Sequence, residues 1–257
     1  MTPWREQLEV DGFALLPGVL SPDEVSAALA EWGEVCRANA ADPAILANDG
    51  PAYGARNLLQ LWPRVMELAR HARLAGPLCE VLGSAAGAVR VLFFDKPPGH
   101  SWALPRHKDY SIAVAEHRGG EVLTRPTRKA GVPHVVAPPE VLHAMLTARI
   151  HLDNMTPDNG PLRVVPGSHR FYEMGRDDER DAIPIHCRAG DVLLMRPLLT
   201  HCSGHSNPNA GLHRRIVHVE CAASPELPDG YSWHTFEPLN QPAKPQAALS
   251  EQGTAPC

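Results

Sequence analysis

The stretch Pro105-Arg106-His107-Lys108-Asp109 sets a histidine and an aspartate two residues apart. On an extended strand, side chains two apart point to the same face. His107 and Asp109 can therefore reach one metal ion together, with Lys108 turned to the other face. Two histidines and one carboxylate with open positions form the ligand set of non-haem Fe(II) oxygenases. The second histidine has to come from elsewhere. His201, at the end of the apolar strand that Gly190-Asp191 opens, is the candidate. The tripeptide alone decides little. In a chain of 257 residues with 14 histidines, a surface His beside a solvated Asp is the plainer reading, so the flanking sequence has to decide.

Outward from this stretch the chain reads as strands. Ala88 to Phe94 is a β run, followed by the turn Pro97-Pro98-Gly99. Leu146 to Asp153 is a strand, with Arg149, His151 and Asp153 on one face and Ala148, Ile150 and Leu152 on the other. Asp158-Asn159-Gly160-Pro161 is a turn, and Leu162 to Val165 and Arg215 to Cys221 are further strands. Between them, residues 111–140 are long and charged, with Arg118, Arg125, Arg128, Lys129 and His134. A loop of that length is usually functional or disordered. It reads as a lid, with a solvated basic loop as the alternative. Pro138 to Ala144 is a helical turn.

The N-terminal region is different. Asp11 to Pro17 is a short strand. Ser21-Pro22-Asp23-Glu24 has the residues of a capping box, and Val25, Ala28, Leu29 and Trp32 continue at helical spacing to about Ala40. Pro63 to Leu82 holds one or two more helices, stopped at Gly83. From about Thr235 the chain turns to Pro, Gln, Ala and Ser and reads as a loosely ordered tail. The expected organisation is one domain over 1–257: a mainly helical N-terminal region over residues 1–87, a β core over 88–225 carrying the lid loop 111–140, and a tail over 235–257.

Composition narrows the function classes. A net charge of -5 argues against a nucleic-acid-binding surface. The 26 prolines and 20 glycines suit many turns and short strands. The six cysteines are scattered without a Cys-x-x-Cys pair, so neither a disulfide framework nor a zinc cluster is implied. The start of the chain has no signal-like apolar region, and no run approaches a membrane span. A cytoplasmic protein with a small-molecule partner, and neither nucleic acid nor membrane, is the expectation. The oligomeric state is not legible.

Several ordered motifs together resemble the phytanoyl-CoA dioxygenase family of Fe(II)/2-oxoglutarate oxygenases, in its bacterial small-molecule branch. They are Asp11-Gly12-Phe13 with Leu16-Pro17-Gly18-Val19-Leu20, His107-Lys108-Asp109, and Leu152-Asp153-Asn154-Met155-Thr156-Pro157-Asp158-Asn159-Gly160-Pro161-Leu162 followed by Val165-Pro166-Gly167-Ser168-His169. Ala189-Gly190-Asp191-Val192 leading to His201, and His213-Arg214-Arg215-Ile216-Val217-His218, complete the set. The resemblance runs to about residue 225. It implies a mostly β fold with flanking helices, a double-stranded β-helix (jelly-roll, cupin-like) core. It implies Fe(II) held by His107, Asp109 and His201, with 2-oxoglutarate and O2 as co-substrates.

By the same resemblance, Arg214 clamps the distal carboxylate of 2-oxoglutarate, with Arg215 the runner-up because adjacent strand residues face opposite ways. Arg suits that role, since its planar fork pairs bidentately with a carboxylate. Ser203 matches a hydroxyl that also contacts the co-substrate. Arg149 and His151 stand where relatives carry an aromatic and a small residue. Arg149 adds cationic character to the cavity, for 2-oxoglutarate or for an anionic substrate. If buried it needs a partner: a carboxylate of either ligand, or a protein acid such as Glu116 or Asp153. Lys96 could join it, although a Lys so placed is more often solvent-exposed.

The implied reaction is hydroxylation of a small, carboxylate-bearing metabolite with release of succinate and CO2. Related halogenases replace the metal-binding carboxylate with a small residue, so the retained Asp109 favours hydroxylation. Desaturation or cyclisation with the same cofactors is one alternative. A non-oxidative metal-binding β-barrel protein is the alternative of another class.

Overall fold

A computed structural model describes residues 2–47, 51–62, 64–175 and 180–241. Fifteen strands form three antiparallel sheets among these residues. The largest runs in the order β1 (Phe13–Leu16), β12 (Val192–Met195), β9 (Met145–His151), β14 (Ile216–Ala222), β4 (Gly87–Phe94), β3 (Gly54–Ala55) and β2 (Ile45–Leu46), with β15 (Glu237–Pro238) pairing β4 at the end away from β3. A smaller sheet runs β11 (Ile183–Pro184), β10 (Leu162–Val164), β13 (His201–Ser203), β5 (Leu104–His107). The third is β6 (Ser111–Ala113), β8 (Val132–Val136), β7 (Thr124–Lys129).

Every residue of β9 and β14 is buried. Their two faces do different work. Ala148, Ile150, Val217 and Val219 join the main hydrophobic core with Val91 and Phe93 of β4. Helices α2 (Pro22–Ala38), α3 (Leu58–Leu61), α4 (Val65–Ala69) and α5 (Ala72–Leu82) contribute Trp32, Leu58, Val65 and Leu78 to that core. Trp32 stacks on Phe93 with ring centroids 4.2 Å apart. The capping box that starts α2 forms as expected: Glu24 N donates to Ser21 Oγ (3.3 Å), and Ser21 N donates to Glu24 Oε2 (2.8 Å). Such caps are typically worth about 1 kcal/mol. Helices α1 (Pro3–Asp11) and α6 (Pro139–His143) flank the sheets.

The opposite face of the large sheet is polar. Register sets Glu220 between Arg90 and Thr147, and His218 between Leu92 and Arg149. Ile216 lies between Phe94 and His151. These rows look toward β13 and β5.

Three expectations are corrected here. Residues 111–140 are not a structureless lid. They fold as the third sheet, in which β7 turns into β8 at Ala130 and Gly131, both at positive φ (47° and 79°). The outward face of β7 is charged and exposed, so the apolar alternation that marks a strand is missing there. The run from Asp191 to His201 is not one strand either. Pro197 lacks a ladder donor, and Leu199 N donates to Arg196 O (3.0 Å) in a turn. The chain thereby leaves the large sheet at Met195 and enters the small one at His201. Finally, the tail is ordered at its start: β15 pairs with β4, and Leu239 is buried. Residues 242–257 lie outside the described residues.

Candidate active site

His107 and His201 face each other across β5 and β13. Asp109 follows two residues after the end of β5, where its N donates to Pro197 O (2.9 Å). It therefore reaches the same point from just beyond the strand. One ligand atom each from His107, Asp109 and His201 lies within 4.8 Å of the others. His201 Nε2 is 3.8 Å from Asp109 Oδ2, and the two imidazole centroids are 4.2 Å apart.

The two imidazoles are held alike. His107 Nδ1 lies 2.8 Å from Pro105 O, and His201 Nδ1 lies 2.8 Å from Leu199 O. A carbonyl only accepts, so each Nδ1 carries the proton and each Nε2 keeps its lone pair for the centre. Burial, opposed by Asp109, keeps His201 below the usual imidazole range. The lone pairs and the Asp109 carboxylate make a donor set of nitrogen and oxygen that fits a divalent iron ion. Lys108 points the other way, as alternation requires, and donates to Ser168 O and Leu198 O, each at 2.8 Å.

The triad forms one wall of a cavity of about 410 Å³. At one end Arg214 is buried, with Nη1 donating to Gly160 O (2.8 Å) and Nε without a hydrogen-bond partner among the described residues. Gly160 adopts φ +62°, and a Cβ there would meet Gly204 O at 2.6 Å. Only glycine allows the turn to come that close while offering its carbonyl to Arg214. Lys96 lies beside Arg214 and is 0% exposed, in place of the solvent-exposed Lys that its sequence context suggests. Its Nζ donates to Ser203 Oγ (3.1 Å) and Gly204 O (2.6 Å), and sits 5.5 Å from the Trp102 ring centroid. Burial, with repulsion from Arg214 and Arg149, brings Lys96 down to about 7.

Arg149 lines the same cavity and is buried, its Nε without a hydrogen-bond partner among the described residues. Burial lowers it to about 10, with Asp109 opposing. The protein acids expected as partners are both engaged elsewhere. Asp153 binds Arg215 through Nη2 (2.6 Å) and Nε (2.9 Å), and Glu116 pairs with Arg118. Asp153 sits past the end of β9, where the strand alternation no longer holds its side chain on the inner face. Arg215 is accordingly turned out of the cavity. His151, in the next row, is driven to about 3 by burial and Arg149 and adds no charge.

The cavity is also lined by the charged Arg56, Arg90 and Glu220 and the aromatic Tyr53 and Trp102, none of them among the expected site residues. Arg90 and Glu220 left a signal. Each is a single charge inside an otherwise apolar strand, and opposite charges placed so on two strands call for each other. Arg56 left none, since β3 is only two residues long.

The sequence pattern described as Phytanoyl-CoA dioxygenase (PhyH) matches residues 8–216. The chain belongs to the phytanoyl-CoA dioxygenase family. That family comprises Fe(II)- and 2-oxoglutarate-dependent dioxygenases, with O2 the usual oxidant. An ectoine dioxygenase from Bordetella bronchiseptica is 30% identical over 175 residues, which cover 65% of this chain and 49% of that protein. The chain thus spans about half the length of this curated relative. Two crystal structures share the fold. One is EctD from S. alaskensis with 2-oxoglutarate and 5-hydroxyectoine, at TM-score 0.65 and 22% identity, covering 86% of this chain and 76% of EctD. The other is the non-heme alpha ketoglutarate dependent carbocyclase SnoK from nogalamycin biosynthesis, at TM-score 0.63 and 20% identity, covering 90% and 89%. The family fold, a double-stranded β-helix, is the one described above. No helix among the described residues is long and apolar enough to cross a membrane.

Proposed function

We propose that this chain is an Fe(II)/2-oxoglutarate-dependent dioxygenase that hydroxylates a small, carboxylate-bearing metabolite and releases succinate and CO2. One observation carries the reading. The donor atoms of His107, Asp109 and His201 converge within 4.8 Å on the wall of a cavity that Arg214 also lines, with the buried Lys96 behind Ser203 at the same end, and neither cation's side chain hydrogen-bonds a carboxylate among the described residues. A metal-ligand set beside an anion site is what an iron enzyme with a dicarboxylate co-substrate requires. A binding protein or a metal hydrolase has no need of the second site.

His107, Asp109 and His201 would hold the iron. Bound there, the metal supplies O2 activation coupled to oxidative decarboxylation of 2-oxoglutarate. The remaining steps belong to the chain. Arg214 takes the distal carboxylate of the co-substrate, its fork already aimed by Gly160 O. Lys96 adds positive charge and fixes the Ser203 hydroxyl at the same end. Arg149 is the third cation of this group, because its charge is felt by both Arg214 and Lys96. Leu92, Phe94 and Leu162 line the walls and keep water from the reacting carbon. The Asp109 carboxylate completes the ligand set, which favours hydroxylation over transfer of a halide.

The test is anaerobic addition of Fe(II) and 2-oxoglutarate, followed in visible light, with a mass-spectrometric screen of metabolite pools for a product 16 mass units heavier. A charge-transfer band, and a product that depends on 2-oxoglutarate, are expected. Absence of the band defeats the reading.

A further inference from the structure

The co-substrate uses one end of the cavity, and the other end carries charge of its own. Arg90 and Glu220 face each other across β4 and β14. Arg90 Nε donates to Glu220 Oε2 (2.9 Å), with a second contact from Nη2 to Oε1. Arg90 Nη1 also lies 3.0 Å from His134 Nε2, and His218 Nε2 lies 3.5 Å from Glu220 Oε1. Burial raises Glu220, but Arg90 and His218 overcome it and hold the carboxyl at about 2. Glu220 is therefore ionised and fully engaged.

Two more cations stand against this pair. Arg56 follows β3 and lines the cavity, and among the described residues its guanidinium has neither a hydrogen bond nor an ion pair. Lys129 ends β7, and its Nζ donates to the neutral Ser111 Oγ (3.2 Å). Burial and then repulsion from Arg90 lower both. With Asp109 given to the metal, Arg56, Arg90 and the neighbouring Lys129 stand, among the described residues, against the single carboxylate of Glu220 at this end. Three like charges around one acid repel, and a further anion relieves that repulsion.

We propose that Arg56, flanked by Lys129, anchors an anionic group of the substrate, a carboxylate, at the end of the cavity opposite Arg214 and Lys96. This rests on the oxygenase reading and deepens it. Along the sheet, the Arg90–Glu220 row and Arg214, two residues before β14, lie at opposite ends of β14, with the Leu92–His218–Arg149 row between them, and the ligand triad lines the same cavity. The carboxylates of substrate and co-substrate then point apart, and the substrate carbon nearest the metal is removed from its own carboxylate. Tyr53, Leu92 and Trp102 line the path between. A cavity of about 410 Å³ that also holds the co-substrate is near the small end of ligand sites, which restricts the substrate to a compact acid.

The test uses trifluoroacetate as a carboxylate probe, followed by fluorine NMR line broadening on the anaerobic Fe(II)-loaded protein with saturating 2-oxoglutarate. The probe is expected to bind while 2-oxoglutarate is present. Arg56→Gln is expected to weaken it by roughly tenfold or more, Arg56→Lys to retain most of it, and Arg214→Gln to leave it in place. Circular dichroism checks that each variant is folded. Complete displacement of the probe by 2-oxoglutarate overturns the proposal, as does wild-type probe binding in Arg56→Gln. The visible band is read on the same samples. Its absence in the wild type sinks the oxygenase reading, whereas a normal band with unchanged probe binding in Arg56→Gln sinks only the second anion site.

Discussion

The two ends of the cavity bury positive charge in different ways. At one end the side chains of Lys96, Arg149 and Arg214 make no hydrogen bond to a protein carboxylate among the described residues, and two of them leave Nε unpaired. Asp95 accepts from Arg214 only at the backbone N (3.3 Å) and is paired with His213 (2.8 Å). At the other, Arg90 is locked to Glu220 in the same row of the sheet. A cation with its own acid is settled when the chain folds. One without an acid is settled only by a ligand. The Arg90–Glu220 pair therefore belongs to the structure, and we propose that the Arg214 group belongs to function.

Breaking the settled pair should have the largest effect. Glu220→Gln strands Arg90 as a buried, unpaired charge and should cost about 3–5 kcal/mol of stability, read from urea unfolding. Arg214→Gln removes a buried charge whose side chain bonds no acid among the described residues, so its stability should change by less than half as much. Equal losses would erase the distinction between the two ends.

Binding should rank the other way. Arg214→Gln should raise the 2-oxoglutarate requirement roughly ten- to a hundredfold, from the loss of a charge-assisted pair worth about 1.5–3 kcal/mol. Arg215→Ala should leave that requirement unchanged and cost no more than about 1 kcal/mol of stability, as its pair with Asp153 is partly exposed. A larger effect on 2-oxoglutarate from Arg215 would mean that the wrong arginine faces inward. Arg149→Gln should raise the same requirement by a smaller factor than Arg214→Gln, and steady-state titration of 2-oxoglutarate separates the two.

Lys96 gives the smallest effect, and its sign follows from a value near 7. Below 7 its charge is already present for the co-substrate. Above 7 it is neutral, and an anion must bring the proton back. Affinity for 2-oxoglutarate should fall as pH rises from 6 to 8, by up to about tenfold per unit. Lys96→Met should flatten that slope while lowering affinity at pH 6. A slope unchanged in the variant would assign it to another group.

Much of this is legible in the sequence. The large sheet followed from apolar strands, and α2 from its capping box. His107, Asp109, His201 and Arg214 followed from motif order, and the cavity brings them together. What escaped was decided by contacts distant in sequence. Residues 111–140 looked like a loop because β7 exposes its charged face and turns at Ala130-Gly131, a pair without a strong turn signature. The run into His201 looked continuous because its apolar composition hides the change of sheet at Pro197. Arg56 becomes part of the site only because β3 pairs with β4. The partner of Arg149 could not be read either, since Asp153 is drawn off by Arg215.

We propose that His107, Asp109 and His201 form one iron site on which 2-oxoglutarate can bind. Its most direct measurement is anaerobic titration of Fe(II) into the protein with saturating 2-oxoglutarate, following visible absorbance in the wild type and in His107→Ala, Asp109→Ala and His201→Ala. The wild type should develop a band that saturates at one equivalent of iron, and each variant should lose it while keeping its circular dichroism. A wild type without the band, or a variant with the full band, would contradict the claim.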